Sequence, residues 1–479
     1  MKIAFANPPF LKNYSRGQRS PGVPKGKTLY YPYFLAYAAL WAQKQGNEVR
    51  LYDFVAENKD FKEAIKELKR DEADLIVVET STPSIENDIR FAQRIKRNLK
   101  KVFVLLVGTH PSALSEQTLK KAGKEIDGIA VGEYDQTIVE LASALAAGKP
   151  LYLVDGLVFW QKNKIIANKP RKPIENLDEF PFAGEIYKEY LNPKNYYFSA
   201  ADWPMMMIIT GRGCPFGCSF CVYPQVMHGF KYRYRSAQNV AAEFEYIEKN
   251  FPEIKEVVIE DDTFTTNLDR VRDICQRLIR QGNKLKWSAN VRVSLDFETM
   301  KLMKEAGCRL LIVGYESGSQ KLLDNMGKNI RLEDSQSFSK NAKKAGLLVH
   351  GCFMVGNPGE TKETMKETLK FAKKLEPDSA QFYPVYVYPG TKSYDWFKKR
   401  GYLKKKSFSE WLTKEGKHNC VIDLPGLSAE EMMSFCHRAY LSFHLRPKYL
   451  LKKIWQLIKN PNEGKRSLRS GWRFLTNYI

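Results

Sequence analysis

The chain has 479 residues, and this length favours two or three domains over one hydrophobic core. Its 76 Lys and Arg residues outnumber its 54 Asp and Glu residues, and the net charge of +22 suits an anionic partner, either nucleic acid or membrane. Three of its eight cysteines share one loop and the rest are scattered, which argues against a disulfide framework and favours a reducing cytoplasm. The amino terminus begins as a strand instead of a signal peptide, and no uncharged apolar run reaches the roughly 20 residues of a membrane span.

Strand and helix patterns alternate through residues 1–150, which we expect to form the first domain. The strand patterns are residues 2–6, 48–54, 75–79, 102–107 and 128–131. The helical patterns are residues 33–45, 61–70 and 85–99, a helix after Pro111, and a helix from Thr137. This alternation predicts an open, mostly parallel, doubly wound α/β sheet of the Rossmann-like kind.

Ligands of such sheets bind beyond the carboxyl ends of the strands, so the residues that follow each strand are the candidates. They are Pro8, Thr80, Ser81, Thr82, Gly108, Thr109, His110, Gly132 and Glu133. No G-x-G-x-x-G motif follows a strand, which argues against a dinucleotide. Residues 22–28 are one residue short of a phosphate-binding Walker A loop and do not directly follow a strand, so we expect a mobile loop there.

Residues 151–204 are expected to link two domains. Residues 157–160 and 164–167 alternate around a short turn and predict a small hairpin. Four prolines between residues 170 and 193 then interrupt any regular pattern. The segment is long enough to lay one cofactor domain over another.

Three cysteines, Cys214, Cys218 and Cys221, lie within eight residues of one loop. Thiolates are soft ligands that select zinc, copper or iron–sulfur clusters, and a structural zinc site normally needs four ligands. No fourth cysteine belongs to this loop, and three thiolates on a four-iron cluster would leave one iron open to a small molecule. Three later cysteines lie in helix or strand patterns and are expected in the core: Cys275, Cys308 and Cys352.

A second strand–helix series follows over residues 205–400. Its strand patterns are residues 206–210, 257–260, 285–289, 310–313, 349–355 and 380–386. Its helical patterns include residues 237–250, 268–281 and 298–306. Six such units are too few to close an eightfold barrel, and a site is expected at the carboxyl ends of the strands.

The cysteine loop, with Phe220 before its last cysteine, resembles the signature of the radical S-adenosylmethionine (SAM) superfamily. The resemblance implies an open partial (β/α)6 barrel, a [4Fe–4S] cluster on the three cysteines, and SAM chelated at the fourth iron. Reductive cleavage of SAM then gives a 5′-deoxyadenosyl radical, with electrons from a donor of the flavodoxin or ferredoxin type. The positions that the resemblance assigns to SAM binding are Phe220, Asp261, Asp262, Asn290, Arg292, Glu316, Ser317, Pro358 and Tyr388.

Residues 1–150 resemble the cobalamin-binding domain that precedes many radical SAM domains, which assigns cobalamin to the strand-end residues of the first sheet. A D-x-H-x-x-G motif is missing, so the sequence offers no evident histidine for the lower face of the cobalt. We therefore expect His110 to line the site or to cap the next helix, with ligation of cobalt as the minor alternative. A domain that keeps the fold but has lost the cofactor is the other alternative.

Residues 401–479 are expected to be helical and basic. Residues 438–479 contain ten Lys or Arg residues against one acidic residue, with aromatic residues between them. Residues 449–458 place apolar side chains at helical spacing with lysines between them, as in a helix that lies on an anionic bilayer. A helix that caps the barrel with a solvated face is an equal alternative, and RNA binding is a third.

Within the superfamily, the sequence is most similar to the cobalamin-binding branch that includes hopanoid-associated, cyclitol-forming proteins. The shared stretches are residues 80–84, 223–225, 232–236, 261–265 and 314–318. The resemblance implies a cytoplasmic enzyme, peripheral at the membrane, that removes hydrogen from an sp³ carbon of an apolar or lipid-linked substrate. Methylation or the formation of a ring or C–C bond is expected to follow.

Two alternatives come from other functional classes. A radical SAM enzyme that modifies tRNA is favoured by the net charge, but no recognisable RNA-binding appendage is present, so nucleic acid is not the expected partner. A non-catalytic cobalamin-binding protein is opposed by the intact cysteine loop.

Overall fold

The computed structural model describes the whole chain except residues 18, 25, 27, 406, 460–462, 465 and 467–479. Two large sheets organise it, the first mostly and the second wholly parallel. The strands are β1 (Lys2–Asn7), β2 (Glu48–Asp53), β3 (Leu75–Thr80), β4 (Phe103–Gly108), β5 (Gly128–Ala130), β6 (Leu157–Gln161), β7 (Lys164–Ala167), β8 (Met205–Ile208), β9 (Gly211–Arg212), β10 (Arg233–Tyr234), β11 (Glu256–Ile259), β12 (Lys286–Val291), β13 (Cys308–Glu316), β14 (Leu348–Val355) and β15 (Ser379–Pro384). The helices are α1 (Tyr33–Lys44), α2 (Phe61–Asp71), α3 (Ile85–Asn98), α4 (Thr109–Ala113), α5 (Ser115–Ala122), α6 (Asp135–Ala146), α7 (Ala183–Tyr190), α8 (Ala237–Asn250), α9 (Leu268–Arg280), α10 (Phe297–Glu305), α11 (Gln320–Asn325), α12 (Leu332–Lys344), α13 (Lys362–Leu375), α14 (Lys392–Lys399), α15 (Ala429–His444) and α16 (Pro447–Lys459).

The first sheet has the strand order β2-β1-β3-β4-β5-β6-β7, and its first five strands are parallel. Every residue of β3 is buried because helices pack on both faces, α1 and α6 on one side and α2, α3 and α5 on the other. The strand order reverses between β1 and β3, which is the point where doubly wound sheets bind ligands. The predicted Rossmann-like fold is confirmed.

The hairpin predicted within residues 157–167 forms, but it extends the first sheet instead of lying in a separate linker. β6 pairs antiparallel with β5, so that Val158 lies opposite Ile129, and β7 pairs with β6. β5 has only three residues, and the hairpin covers an edge whose backbone groups would otherwise be exposed. The first sheet therefore continues beyond residue 150, while the predicted domain limits stay predictions.

The helix expected after Pro111 begins earlier, at Thr109, and a second helix follows from Ser115. Proline is accepted in the first turn of a helix because the N–H that it lacks has no intrahelical partner there. His110 thus lies in the first turn of α4, directly beyond β4, at the carboxyl edge of the sheet.

The second sheet has the order β15-β14-β13-β12-β11-β8 and is parallel throughout, which confirms the predicted partial barrel. The cysteine loop lies between β8 and α8, and a two-residue antiparallel ladder of β9 and β10 closes its base. The last strand ends at Pro384, two residues before the predicted limit. The carboxyl ends of the six strands therefore surround the cysteine loop.

The helices α14, α15 and α16 follow the second sheet, and α15 packs against β15. The predicted helical character of the basic carboxyl-terminal region is confirmed for α15 and α16. Among the described residues, the helices are too short or too polar to cross a membrane. The last part of the predicted basic segment, residues 467–479, lies outside the described residues.

Candidate functional site

The carboxyl edges of the two sheets face each other across a cluster of buried ion pairs. Arg212 in β9 and Arg233 in β10 both contact the carboxylate of Glu133, which follows β5. Arg212 also pairs with Asp135 at 2.7 Å, and all four side chains are at most 5% exposed. Because each buried charge has a partner, the cluster holds the cysteine loop against the first domain. Glu133, predicted to bind cobalamin, is thus engaged by two guanidinium groups, a contact between domains that no local sequence pattern signals.

A cavity of about 180 Å³ lies at the carboxyl edge of the second sheet. The three loop cysteines line it, and six of the nine residues predicted to bind SAM do so too: Phe220, Asp262, Asn290, Arg292, Glu316 and Tyr388. The other three are not among its lining residues: Asp261, Ser317 and Pro358. The structure therefore brings most of the predicted set together, and their roles stay predictions.

The cysteines fit an iron–sulfur cluster by their arrangement around this space. Cys214 and Cys218 are each 8% exposed, Cys221 is half-buried, and burial raises the pKa of Cys214 and of Cys221. A cluster binds each thiolate at a different iron, so its ligands surround a common volume without converging on one point. In the described part of the chain, no three His, Cys, Asp or Glu side chains converge on a single ion. Three thiols around one cavity thus fit a [4Fe–4S] cluster better than a zinc ion.

The two aspartates that follow β11 point to different places. Asp261 is fully buried and accepts hydrogen bonds from the N–H and the hydroxyl of Thr210, both at 2.6 Å. Asp262 lines the cavity, where it accepts from the N–H of Gly213 and lies 2.9 Å from Nδ1 of His228. The geometry favours Asp262 as the SAM contact, whereas Asp261 anchors the chain that enters the cysteine loop.

Arg292 and Glu316 are charged groups of the cavity wall whose charge or polar atoms are only partly satisfied by other described residues. Arg292 stacks 3.7 Å from the ring centroid of Phe216 and donates to the carbonyl of Lys328, but it makes no ion pair among the described residues. Glu316 pairs with Lys328 Nζ at 2.8 Å through Oε1, while its buried Oε2 accepts no hydrogen bond in the described chain. SAM carries a carboxylate, an ammonium and hydroxyls, so these groups fit it.

The end of β13 is shaped to present Glu316. Its φ of +65° is uncommon for a residue other than glycine, and strain of this kind costs on the order of 1–3 kcal/mol and clusters at binding sites. Gly314 allows the arrangement, because a Cβ there would lie 2.2 Å from Oε1 of Glu316. The backbone therefore turns this carboxylate into the cavity.

Arg19 also lines the cavity, although the sequence did not predict it. It comes from the long loop between β1 and α1, in the first domain. Its guanidinium lies 3.3 Å from Oε2 of Glu260 and donates to the carbonyl of Asp261 at 2.6 Å. The carbonyl of Gly17, in the same loop, accepts a hydrogen bond of 2.7 Å from the hydroxyl of Tyr223, which follows the cluster cysteines. The loop thus joins both domains at the cavity.

Part of the loop that we expected to be mobile has fixed contacts. The N–H of Val23 donates to the carbonyl of Gly416 at 2.8 Å, and the carbonyl of Ser20 lies 2.7 Å from Nε2 of His418. These partners belong to the segment that follows α14, so the carboxyl-terminal region holds the loop over the cavity. Residues 25 and 27 of the loop lie outside the described residues.

One of the cysteines predicted for the core is placed elsewhere. Cys352, in β14, is half-buried and lines the cavity, as does Met354 two residues later. Alternate residues of a strand share a face, which explains why these two face the site. Cys275 and Cys308 are buried, as predicted.

Ser317 and Pro358 make hydrogen bonds within the surrounding framework. The hydroxyl of Ser317 lies 3.2 Å from that of Thr368 in α13, and the carbonyl of Pro358 accepts from Asn325 in α11 at 2.9 Å. Both contacts tie strand-end loops to helices. Their geometry does not favour direct contact with a ligand in the cavity.

At the edge of the first sheet, the same long loop contacts Ser81, one of the predicted cobalamin residues. The hydroxyl of Ser81 lies 2.8 Å from that of Tyr14 and 2.7 Å from that of Ser84. Arg16 forms a fully buried ion pair with Asp88 at 2.6 Å. These contacts close the region between β1 and β3 with the chain's own side chains.

The remaining predicted residues at this edge hold backbone in place. The hydroxyl of Thr80 donates to the carbonyl of Val107, and the carbonyl of Pro8 accepts from Arg16, each at 2.8 Å. Thr109 is half-buried at the start of α4. Their role in binding cobalamin stays a prediction.

His110 has a hydroxyl and an aromatic ring as neighbours. Its Nδ1 lies 3.3 Å from the hydroxyl of Thr82, and its ring meets Phe408 edge to face at 4.6 Å. Burial, with a smaller effect of Lys121, lowers the pKa of His110 to about 3, so the imidazole is neutral. This environment fits the predicted role in lining the edge.

Two buried polar atoms at this edge fit a bound ligand. Oε2 of Glu79 and the hydroxyl of Tyr134 have no hydrogen-bond partner among the described residues. Gly108 and Gly132 have φ values of +117° and +72°, and a Cβ on Gly108 would lie 2.2 Å from the carbonyl of Thr80. Cobalamin carries amide side chains that can satisfy such atoms. The glycine at position 108 is required by the neighbouring strand, because the carbonyl of Thr80 occupies the place of a Cβ.

The comparisons with known proteins agree with this arrangement. A B12 binding domain matches residues 23–142, and the radical SAM superfamily matches residues 208–372. The chain is 33% identical to an uncharacterized methyltransferase of Pyrococcus horikoshii over 458 aligned residues, and the alignment covers 95% of each protein. It is 27% identical to the anaerobic magnesium-protoporphyrin IX monomethyl ester cyclase of Cereibacter sphaeroides over 404 aligned residues. This alignment covers 82% of this chain and 63% of that enzyme.

A solved structure has the same fold. It is the radical SAM methyltransferase TsrM from Kitasatospora setae with cobalamin and a [4Fe–4S] cluster bound, at a TM-score of 0.70 and 17% identity, covering 93% of this chain and 89% of that one. The two family models assign a [4Fe–4S] cluster, SAM and cobalamin as cofactors, and the unsatisfied groups at both edges fit them. The chain therefore belongs to the B12-binding radical SAM proteins, as a cobalamin-dependent radical SAM enzyme of the methyltransferase type.

Proposed function

We propose that the enzyme methylates an sp³ carbon of an apolar or lipid-linked substrate. The observation that carries the proposal is an uncharged part of the cavity wall. It consists of Ile312 and Met354 from the inner strands, of Tyr383 in β15, and of Tyr386 and Tyr388 just beyond that strand. Burial keeps these tyrosines as neutral hydroxyls because it raises their pKa values well above the usual range. A mostly uncharged wall favours an apolar substrate group.

The residues of this chain have separate roles in the proposal. Cys214, Cys218 and Cys221 hold the cluster, while Arg292 and Glu316 orient SAM through their unused binding capacity. When bound, the cluster, SAM and cobalamin supply reductive cleavage of SAM and a transferable methyl group. The protein orients the substrate and keeps water out.

Ring closure is the second candidate. A protein that is 27% identical to this chain is named an anaerobic magnesium-protoporphyrin IX monomethyl ester cyclase. In the proposal, hydrogen removal from an sp³ carbon precedes both outcomes. The cavity does not separate them, because the same wall would hold either substrate. Transfer of label from SAM distinguishes methylation from cyclisation.

The proposed setting is a reducing cytoplasm, with an electron donor of the flavodoxin or ferredoxin type. The structure describes all eight cysteines and joins none of them in a disulfide, which suits that setting. Radical SAM enzymes act on small molecules and need an electron donor, so a small or lipid-linked substrate and a redox protein are the partners that we propose. We do not propose nucleic acid as a partner.

The test follows label from SAM into product. Anaerobic, cofactor-loaded enzyme is incubated with methyl-labelled SAM, a reductant and either the total lipid extract or the tRNA of the producing organism. The proposal expects label in an apolar product, with none when the three cluster cysteines are alanine. SAM cleavage without label transfer would favour ring closure, and label in tRNA would overturn the proposed substrate class.

A further inference from the structure

The turn that follows α11 packs directly on the cysteine loop. The N–H of Ser219 donates to the carbonyl of Met326 at 2.9 Å. Gly327 has a φ of +66°, and a Cβ at this position would lie 3.1 Å from the carbonyl of Gly217. Gly217 and Ser219 flank Cys218, so this turn is held against one of the three cluster cysteines.

Lys328 is the next residue of this turn, and it brings a buried ammonium group to the cavity. The residue is 8% exposed and lines the cavity together with the three loop cysteines. Its Nζ lies 2.8 Å from Oε1 of Glu316, and a Cβ on Gly314 would approach this Nζ to 2.8 Å, so the glycine leaves room for it. A lysine is almost never fully buried unless it is paired. The sequence did not single out Lys328, because it follows a helix instead of a strand.

The side chain of Lys328 is charged in this environment. Burial lowers its pKa, but the carboxylate of Glu316 and, to a smaller extent, the thiolate form of Cys218 act in the opposite direction, and the pKa is raised overall. In the described part of the chain, Glu316 is its single ion-pair partner. Lys328 is therefore a fixed positive charge in the wall that the cluster cysteines also line.

Glu316 places a negative charge in the same wall. Its Oε1 is used by Lys328, whereas its buried Oε2 has no hydrogen-bond partner among the residues that the structure describes. The two side chains thus form a pair of opposite charges at the cavity of the three thiols. Such charges act strongly, because a buried site screens them much less than water does.

A nearby charge changes how readily an iron–sulfur cluster accepts an electron. Reduction makes the cluster and its thiolates more negative by one charge, so a fixed cation favours the reduced form and a fixed anion opposes it. Net charge, hydrogen bonds to sulfur and solvent exposure are the means by which a protein sets this potential. Lys328 and Glu316 are therefore expected to act on the potential in opposite directions.

We propose that Lys328 raises the reduction potential of the cluster bound by Cys214, Cys218 and Cys221, and that Glu316 lowers it. The step that the two charges affect is the gain of one electron by the cluster from the external donor, and no bond of the protein forms or breaks in it. The proposal concerns the cluster alone, so it does not depend on which substrate is bound or on whether the product is methylated.

The experiment is a redox titration of the full-length protein, loaded anaerobically with its cluster and cobalamin, at pH 8 and without SAM or substrate. The electron paramagnetic resonance signal of the reduced cluster measures the ratio of reduced to oxidised cluster. At this pH an ordinary glutamate is ionised and an ordinary lysine is protonated, so each variant changes one charge. K328M should lower the ratio at a fixed potential about tenfold, which corresponds to about 59 mV for one electron. E316Q should raise it.

Further variants separate the effect of charge from that of packing. K328R keeps a cation at the same place and should keep the native ratio, and K328M/E316Q removes both charges and should return close to it. K301M removes the lysine of an exposed pair in α10, in which the side chains of Lys301 and Glu298 are 56 and 74% exposed, and should leave the potential unchanged. Iron and sulfide analysis checks that each variant holds its cluster.

A native potential in K328M would overturn the proposal. Shifts of K328M and E316Q in the same direction would overturn it too, because they would indicate disturbed packing of the cysteine loop instead of a charge effect. Should K328M lose its cluster, E316Q decides alone: a raised ratio supports the proposal, and an unchanged or lowered ratio refutes it. A failed substrate assay would leave these results unaffected.

Discussion

The carboxyl edges of the two sheets are both formed by loops that follow parallel strands, but the long loop between β1 and α1 contacts them through different side chains. At the first edge, Tyr14 and Arg16 of the long loop pair with Ser81 and Asp88. At the second edge, Arg19 of the same loop enters a cavity that three free thiols line. The loop between β1 and α1 thus covers part of the first edge and lines the cavity at the second. A ligand at either edge is expected to affect the other, because a single segment contacts both.

The largest effect is expected at the second edge. Replacing Cys214, Cys218 and Cys221 together by Ala removes every loop thiolate, so iron content and SAM cleavage should fall to background. Iron and sulfide analysis and the release of 5′-deoxyadenosine measure the two losses. C275A is the matched control, since Cys275 is buried in α9, and should keep about four iron and four sulfide per chain. Cleavage by the triple variant would refute the assignment of the cluster.

Arg19 tests whether the shared loop matters at the second edge. R19A leaves Glu260 buried without its cation, and losing hydrogen bonds to a charged group costs about 1.5–3 kcal/mol. SAM cleavage should therefore fall roughly 10- to 100-fold. R19K keeps the charge but loses the forked geometry, and should be intermediate. Normal kinetics for R19A would mean that the two edges work independently.

The pH dependence of stability tests whether the buried carboxyl of Glu79, at the first edge, lacks a partner. Burial raises its pKa from 4.5 to about 8, so the protonated side chain favours the folded state. That contribution is complete below about pH 4.5 and is lost as pH rises through 8. E79Q cannot ionise, so cobalamin-free E79Q should become more stable than the native protein across this window, by on the order of 1–3 kcal/mol at pH 8.

Urea unfolding between pH 5 and 9 measures this difference. E116Q is the matched control, because Glu116 is 59% exposed in α5, and it should follow the native pH profile. A constant difference between E79Q and the native protein across that range would contradict the interpretation. Such a result would mean that the carboxylate of Glu79 is stabilised by a partner after all.

The smallest effect is expected from His110. Its Nδ1 faces the hydroxyl of Thr82, and the neutral ring packs on Phe408. If cobalamin is held without a protein histidine on cobalt, H110A should keep the visible spectrum of the reconstituted native enzyme. H110Q retains a polar group at the same place and serves as the comparison. A large spectral shift in both variants would assign His110 as the axial ligand.

Local sequence patterns were sufficient to predict both sheets and most of the predicted residues that line the cavity. Runs such as β3, buried on both faces, can only be central parallel strands, and their ends locate ligand sites without further information. The cysteine spacing likewise predicted a cluster loop, because soft ligands so close in sequence need no tertiary contact to be recognised. Asp262, Arg292 and Glu316 were assigned by the family resemblance at strand ends, and the structure brings all three to the cavity at one edge.

Only the tertiary structure decided which partners these side chains take. Glu133 pairs with Arg212 and Arg233 from the other domain, and Arg19 reaches the cavity across the domain interface. The sequence left open whether the apolar side of α16 faces a bilayer or the barrel. In the structure Lys452 of its polar side pairs with Asp378, while Leu451 and Ile458 are exposed. Sequence periodicity fixes which residues share a face, whereas the charge and shape of the neighbouring surface decide which face is buried.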